Sequence, residues 1–424
     1  MQFKYGLDDR PPLGTAVLFG AQWFALLIPV IIVIGKICSG LHAGDHGGQI
    51  TYLQRLAFLM AVALVVQIVA GHRLPLIVGP STVLLIGIIA NRDFSIGAIN
   101  AGILMGGVVL FLVSVTGLFG HIKRLFTPRV VAAVLLLIAF TLLPTVGQLI
   151  TAGNAPLISL LFALTFTLCL FALHHFLKGI AQTTLIVWAM IGGSILFFLL
   201  RPEALQQELR GVPAFSAAFL GVVPRLSFAP GVTISFLVCF LALAANDLGS
   251  IQSLNELLHA PEPGQRVTRG MAITGLANAA AGLLGVIGPV NFSMSPGVIM
   301  ASGCASRFTL LPAAAILLLV SFSPTLLGLA GLVPPPVIGS ILLYTSTLQV
   351  GAGLLVLSEA EGDITMSAGL VVGAPLLMGT VVAFLPTTIV RNLPALLQPL
   401  LGNGFVVGIT AAILLEQLVL RSRH

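Results

Sequence analysis

Charged residues are scarce in this chain of 424 residues. Asp, Glu, Lys and Arg together make up 8% of the sequence, whereas hydrophobic residues make up 58%. Soluble domains carry about 25% charged residues, so the composition excludes a soluble globular protein. The net charge is +6, but no cluster of Lys and Arg with interleaved aromatic residues occurs. We therefore expect no nucleic-acid partner.

Cysteine is also rare, and catalytic motifs are missing. The sequence has no hydrolase elbow, phosphate-binding loop or dinucleotide fingerprint. His42 and His46 stand at i, i+4 spacing, but no third strong metal ligand is nearby. We therefore expect no catalytic residue, no cofactor and no bound metal. Four scattered cysteines without paired spacing are interpreted as small apolar residues within spans: Cys38, Cys169, Cys239 and Cys304.

Long apolar runs dominate the chain, and a membrane span needs about 20 such residues. We predict a multi-pass protein of a bacterial-type inner membrane, surrounded by lipid, with both termini in the cytoplasm. This orientation places the larger share of the 19 Lys and Arg residues inside. Fourteen segments are candidate spans, of which the third and tenth are short or broken: roughly 14–36, 52–71, 74–91, 96–120, 128–148, 156–177, 181–200, 229–252, 266–287, 289–304, 307–331, 333–353, 365–385 and 401–420.

A Gly-Pro pair occurs near the start of both broken segments, as Gly79-Pro80 and as Gly288-Pro289. Proline has no N–H and fits an extended stretch or a first helical turn. A half-helix that starts there exposes free N–H groups and the positive end of its dipole near the middle of the membrane. Matched interrupted segments are the best sequence indication of a carrier's substrate site.

A second pair of similar segments lies at a similar distance after each Gly-Pro pair. Residues 126–131 and 333–338 are Pro-containing stretches that precede apolar runs. Two repeats of seven spans fit this spacing. Because seven is odd, the second repeat enters the membrane from the opposite side, which gives an all-α, seven-plus-seven inverted repeat.

Four motifs resemble those of the nucleobase–ascorbate transporters, also called nucleobase–cation symporters, which include uracil and xanthine permeases. The resemblance implies fourteen spans, a homodimer, and elevator-like movement of a core domain against a gate domain. The core would comprise residues 1–125 and 229–332, and the gate residues 126–228 and 333–424. The motifs, in chain order, are Asp8-Asp9-Arg10-Pro11-Pro12, residues 20–25, residues 292–303 and residues 335–340.

The chain also departs from the family pattern. Asn246 stands where the family usually has a Glu on the eighth span, and Trp23 replaces a His on the first span. Met294 and Ser295 replace a Gln or Glu and an Asn on the tenth. These changes leave the expected fold and carrier class intact, but the family's usual substrate and proton coupling do not transfer directly to this chain.

Several side chains are candidates for substrate contact. Gln22 is a lone polar residue in a long apolar run, where it either binds substrate or bonds a neighbouring helix. Asn246 can both donate to and accept from a base edge, or it can be a structural amide. Phe292 either stacks on a flat ring or packs. The predicted substrate-binding residues are Gln22, Trp23, Pro80, Ser81, Asn246, Phe292, Ser293 and Met294.

Asp247 and Ser250 are predicted to serve ion coupling. Asp247 is one of two carboxylates well inside an apolar span, and Glu416, interpreted as an interfacial side chain, is the other. Charged side chains at the membrane centre are costly and usually functional. Asp247 points about 100° away from Asn246 around a helix, so it either carries a proton or holds structure without touching substrate.

The predicted function is secondary active import of a nucleobase, with xanthine, urate and uracil as candidates. The predicted coupling ion is the proton, with sodium as the alternative. The competing hypothesis keeps the fold and changes the ligand to an anion such as sulfate, ascorbate or a carboxylate. Two positive half-helix ends without an acidic residue at position 246 suit such a ligand.

Overall fold

The computed structural model is almost entirely helical, as the apolar runs predict. It describes residues 3–42, 46–118, 125–178, 180–202, 213–221, 224–292, 295–330, 332–394 and 396–419. The helices are α1 (Leu13–His42), α2 (His46–Val69), α3 (Thr82–Ala90), α4 (Ile96–Val115), α5 (Pro128–Thr141), α6 (Leu143–Ile150), α7 (Pro156–Phe176), α8 (Ile180–Thr183), α9 (Leu185–Leu200), α10 (Pro230–Leu258), α11 (Pro263–Leu284), α12 (Ser295–Ser302), α13 (Leu310–Ser321), α14 (Pro324–Ala330), α15 (Pro335–Glu361), α16 (Met366–Ala383), α17 (Thr387–Arg391), α18 (Gln398–Leu401) and α19 (Gly404–Leu414).

Two short strands interrupt the helices. β1 (Val78–Pro80) precedes α3, and β2 (Pro289–Asn291) precedes α12. They pair antiparallel, with Val78 opposite Asn291 and Pro80 opposite Pro289. Each Gly-Pro sequence thus lies at the extended stretch that leads into a short helix.

Within the part of the chain that is described, eight helices are long and apolar enough to cross a membrane. Three further apolar stretches are shorter, at Leu185–Leu200, Arg307–Ser321 and Gly404–Val419. The protein is therefore a multi-pass membrane protein. The eight long stretches are Leu13–Leu41, Gly47–Val69, Ile96–Val115, Pro128–Ile150, Pro156–Phe176, Pro230–Asn255, Pro335–Ala360 and Met366–Ala383.

The helices pack in two groups. In the first, α4 lies against α10 and α11, and α13 lies against α1 and α2. In the second, α15 packs on α5, α6 and α7, while α16 packs on α5 and α19. Both strands lie with the first group, since β1 contacts α1 and α2, and β2 contacts α10 and α11. The strand pair is therefore surrounded by helices.

Glycine permits close contact between α4 and α11. A Cβ on Gly107 would stand 2.7 Å from the carbonyl oxygen of Gly275, and a Cβ on Gly275 would stand 2.5 Å from the backbone nitrogen of Phe111. Small residues that let two backbones approach are the usual means of helix association in membranes. This contact fixes α11 beside the strand pair.

The N-terminal segment lies along the residues that follow α12. Tyr5 forms a parallel bridge with Cys304. Arg307 donates from Nε to the Asp8 carboxylate at 2.7 Å and from Nη1 to the carbonyl oxygen of Ile68 at 2.6 Å. The chain start, the end of α2 and the segment after α12 are therefore tied together.

Glu416 is buried inside the protein near the start of α5, and its interpretation as an interfacial side chain stays a prediction. Its side chain is 5% exposed, and Oε2 lies 3.7 Å from Nη1 of Arg129, at the start of α5. A carboxylate and a guanidinium that are both withdrawn from solvent stabilise each other's charge, because isolated buried charges are costly.

Candidate functional site

The antiparallel pair formed by β1 and β2, called the strand crossing below, is extended on both sides by backbone hydrogen bonds. The N–H of Ser81 donates to the carbonyl of Gly288 at 3.0 Å, and the N–H of Phe292 donates to the carbonyl of Ile77 at 2.9 Å. Backbone polar groups in a membrane must be satisfied inside the protein. The two strands meet this requirement by pairing with each other.

The two short helices leave the crossing at opposite ends. The strand register places the start of α3 at the Pro80–Pro289 end and the start of α12 at the Val78–Asn291 end. Ser81 caps α3, since its hydroxyl accepts from the N–H of Leu84 at 3.3 Å. The helix starts provide backbone donors with a positive dipole end beside the crossing.

Ser295 connects the start of α12 to β1. Its hydroxyl accepts from the N–H of Ile77 at 3.1 Å and donates to the carbonyl of Phe292 at 3.0 Å. The side chain is fully buried. Ser295, noted in the sequence only as a departure from the family's Asn, therefore holds the two interrupted segments together.

Phe292 follows β2 directly and is half-buried. The end of its ring lies on the backbone of Gly79, where a Cβ would stand 2.6 Å from Cε2 of the ring. Only glycine leaves room for the ring in this position. Phe292 is thus placed by the Gly-Pro sequence of the other strand.

Gln22 and Trp23 lie on α1, which packs against β1 and α3. Nε2 of Gln22 is buried and has no hydrogen-bond partner among the described residues. Such a donor is costly to leave unsatisfied, and it is suited to a ligand. The indole of Trp23 is buried and donates from Nε1 to the hydroxyl of Thr309 at 3.1 Å, so its polar edge is directed toward Thr309.

The three polar residues predicted on the eighth span all lie on α10, which contacts β2 and α12. Asn246 is half-buried, whereas Asp247 and Ser250 are buried. The hydroxyl of Ser250 donates to the carbonyl of Asn291 at 3.1 Å. These residues therefore reach the crossing from the α10 side.

Two nitrogen atoms of Asn291 and the hydroxyl of Thr274 hold the Asp247 carboxylate. Oδ1 of Asp247 accepts from the backbone N–H of Asn291 at 2.8 Å and from its Nδ2 at 2.7 Å. Oδ2 accepts from the hydroxyl of Thr274 at 2.8 Å. The role of Asp247 in ion coupling stays a prediction.

Sequence reasoning missed three residues of this network, Asn291, Thr274 and His72. Nε2 of His72 lies 3.1 Å from Oδ1 of Asn291, and both side chains are fully or nearly fully buried. His72 was visible only as a histidine at a span end. No local pattern signals that it meets a residue 219 positions away.

Two predicted contact residues, Ser293 and Met294, lie outside the described residues. Of the others, Pro80, Ser81 and Phe292 meet at the strand crossing. Gln22 and Asn246 approach it on α1 and α10.

The fold is that of a polytopic membrane protein in which two short interrupted segments pair. Residues 14–388 match the family model described as "Permease family". The chain belongs to this permease family, so the expectation that it is not an enzyme is confirmed.

Relatives match over nearly the whole chain. The uric acid permease PucK of Bacillus subtilis is 24% identical, covering 95% of this chain and 94% of PucK. The xanthine permease XanP of Escherichia coli (strain K12) is 25% identical, covering 97% of this chain and 93% of XanP. These matches confirm the resemblance described from the motifs.

Solved structures support the fold. The transmembrane domain of the cyanobacterial bicarbonate transporter BicA aligns with a TM-score of 0.63 at 16% identity, covering 88% of this chain and 96% of that domain. The murine anion transporter Slc26a9, in an inward-facing state, aligns with a TM-score of 0.65 at 12% identity, covering 96% of this chain and 69% of that chain. At these identities the likeness concerns the fold alone.

Proposed function

We propose that this protein imports a nucleobase, of the xanthine, urate or uracil type, as a secondary active permease. The observation that carries the proposal is the strand crossing on which the half-buried Phe292 ring rests against Gly79. An aromatic ring held in this way can stack on a flat base. Family membership and the names of the relatives PucK and XanP support the same substrate class.

Polar recognition of the base is assigned to groups around the crossing. Gln22 supplies a buried donor without a partner among the described residues, and Asn246 supplies a donor and an acceptor. Backbone amides at the starts of α3 and α12, beside Pro80 and Ser81, can bind the carbonyl oxygens of the base. Ser293, Met294 and Trp23 complete the proposed contacts.

Transport is proposed to be coupled to protons, with sodium as the alternative. Asp247 and Ser250 are the proposed coupling residues. Asp247 is buried on α10 and reaches the crossing through Asn291. A buried carboxylate within a span is typical of such a role.

The architecture proposed for transport is a seven-plus-seven inverted repeat of fourteen spans. Residues 1–125 and 229–332 form the proposed core, and residues 126–228 and 333–424 the proposed gate. The two packed helix groups support this division. Elevator-like movement, a homodimer, and an inner-membrane location with cytoplasmic termini belong to the same proposal.

A ligand panel tests the substrate class. We would measure the thermal stability of the purified protein with uracil, xanthine, hypoxanthine, guanine, urate, ascorbate and sulfate. A ligand that binds only the folded state stabilises it by about 2.7 kcal/mol at 100-fold excess over Kd. We expect a shift with one or two bases, and Phe292→Ala should need up to about tenfold more ligand for the same shift. The matched control is Phe176→Ala, since Phe176 is 78% exposed at the end of α7.

The panel also distinguishes nucleobase import from the competing hypothesis of an anion carrier. Asn246 places no negative charge on α10 at the proposed recognition position, so an anion meets no repulsion there. A shift with sulfate or ascorbate and with no base would contradict nucleobase import and favour an anion as substrate.

A further inference from the structure

Asn291, the last residue of β2, is held at four of its polar atoms. Its backbone N–H and Nδ2 both donate to Oδ1 of Asp247, at 2.8 and 2.7 Å. Its backbone carbonyl shares the hydroxyl proton of Ser250, at 3.1 Å, with the carbonyl of Asn246, at 2.9 Å. Its Oδ1 lies 3.1 Å from Nε2 of His72.

The protonation of His72 follows from its second ring nitrogen. Nδ1 of His72 accepts from the backbone N–H of Leu74 at 3.0 Å. A neutral imidazole with an accepting Nδ1 carries its proton on Nε2, so Nε2 donates to Oδ1 of Asn291. Burial lowers the pKa of His72, which favours this neutral form.

This tautomer also fixes the amide orientation of Asn291. The oxygen Oδ1 must face the donor on His72, and the nitrogen Nδ2 must face the carboxylate of Asp247. Both contacts have this sense. A flipped amide would set two donors against each other and an oxygen against a carboxylate, so Asn291 has one favourable arrangement.

The far side of the Asp247 carboxylate is held as well. Oδ2 accepts from the hydroxyl of Thr274 at 2.8 Å, and that hydroxyl accepts from Nε2 of Gln67 at 3.0 Å. Gln67 also accepts from the backbone N–H of His72 at 3.3 Å. The hydrogen bonds thus close around Asn291 from α2, α10 and α11, and fully satisfied buried networks make a structure rigid.

Rigidity at Asn291 passes directly to its neighbour, Phe292. The N–H of Phe292 donates to Ile77, and its ring rests on Gly79. We propose that Asn291, oriented by Asp247 and His72, is the positioning residue for Phe292 and thereby sets the affinity for flat-ring substrates. This inference rests on the proposed nucleobase function. The inference is independent of proton coupling by Asp247, because it concerns only the position of the Phe292 ring.

The test is a double-mutant cycle scored by ligand affinity. Asn291→Ala leaves Nε2 of His72 without its acceptor and removes one of the two hydrogen bonds to Oδ1 of Asp247, and we expect it to weaken binding of the best base by about tenfold. If Asn291 acts through Phe292, adding Asn291→Ala to Phe292→Ala changes affinity by less than about twofold. Equal effects of Asn291→Ala in both backgrounds would overturn the proposal.

Controls separate positioning from general loss of packing. Asn100→Ala removes another buried asparagine, on α4, and should leave the affinity within about twofold of the wild-type value. His72→Gln retains a donor toward Asn291, whereas His72→Asn is too short to reach it. Affinity should survive in His72→Gln and fall in His72→Asn. This pair also serves if Asn291→Ala does not fold, and equal affinities in the two variants would contradict the proposal.

Failure of the Asn291 proposal can be distinguished from failure of the proposed nucleobase function. A wild-type protein that responds to sulfate and to no base would refute nucleobase import. The same cycle would then be scored with sulfate, for which additive losses would show that Asn291 does not act through Phe292.

Discussion

The ring of Phe292 lies against the backbone of Gly79, and the two residues come from different strands of the crossing. A Cβ on Gly79 would stand 2.6 Å from Cε2 and 3.1 Å from Cε1 of that ring. Glycine is therefore required at position 79, because the Phe292 ring occupies the volume that a side chain there would fill. The position of the aromatic ring is a direct consequence of a residue in the other half of the sequence.

Gly79→Ala is expected to weaken binding of a base by about tenfold or more, since overpacking of a tight contact costs about 1–3 kcal/mol. The new methyl group pushes the Phe292 ring away from its position. The measurement is the ligand concentration that produces half of the thermal shift. Gly192→Ala is the control, because a Cβ on Gly192 meets no atom within 4 Å. Unchanged affinity in Gly79→Ala would show that the ring position does not matter for binding.

Asp247→Asn tests proton coupling. The amide can keep both hydrogen bonds from Asn291 on Oδ1, while its Nδ2 donates to the hydroxyl of Thr274, whose own proton must turn to another acceptor. The contacts to Asn291 are therefore retained while the charge is lost. We expect base binding within about threefold of the wild-type value and loss of uptake driven by a pH gradient. The readout is uptake into proteoliposomes with and without the gradient.

Glu359→Gln is the control for that measurement, since Glu359 is exposed near the end of α15. If Asp247→Asn is still fully driven by the gradient, Asp247 does not carry the coupling proton. If binding is lost as well, the charge itself is needed to hold Asn291.

Trp23→Phe keeps an aromatic ring and removes the donor to Thr309. We expect the free energy of unfolding to fall by about 0.5–1.5 kcal/mol, because the buried hydroxyl of Thr309 loses one donor and keeps its own bond to the carbonyl of Ser306. Thermal unfolding measures this loss. Base affinity should change little if the indole nitrogen is purely structural. A large loss of affinity would instead support the predicted contact between Trp23 and substrate.

The pH dependence of stability should report on His72. Burial lowers its pKa, so the folded protein keeps the imidazole neutral, while the unfolded chain binds a proton below about pH 6.5. The stability that the neutral histidine contributes is present above that pH and is lost as the pH falls below it. Arg266 donates to the carbonyl of His72 at 3.0 Å. Its positive charge also lowers the pKa of His72.

His72→Gln is therefore expected to flatten the decline of Tm between pH 7.5 and pH 5. Other titrating groups are common to both proteins and cancel in the comparison. Parallel Tm curves for the wild type and the variant would contradict this assignment.

The helical fold follows from local chemistry and was predictable. Apolar runs of sufficient length form helices in lipid because no other donor or acceptor is available to the backbone. The Gly-Pro pairs also marked where helices would be interrupted, since Pro80 and Pro289 cannot donate to a helix. Both prolines are found in strands.

The polar network could not be predicted in the same way. Asn291 lies between Val290 and Phe292, in a stretch with no distinctive spacing. Its significance comes from Asp247 and from His72, which lies at the end of α2. Contacts of this kind depend on how three helices and a strand come together, and no sequence period encodes them. The direction of the Trp23 indole toward Thr309 was hidden for the same reason.

The antiparallel strand pair has a consequence for how the chain is made. Ile77 and Ser295, which bond across it, are separated by 218 positions. Closing so long a loop costs entropy that only later contacts repay. During synthesis β1 therefore stays unpaired until β2, more than 200 residues later, has been produced. Neither half of the sequence alone contains both strands of the proposed site, so only assembly of the two halves can create it.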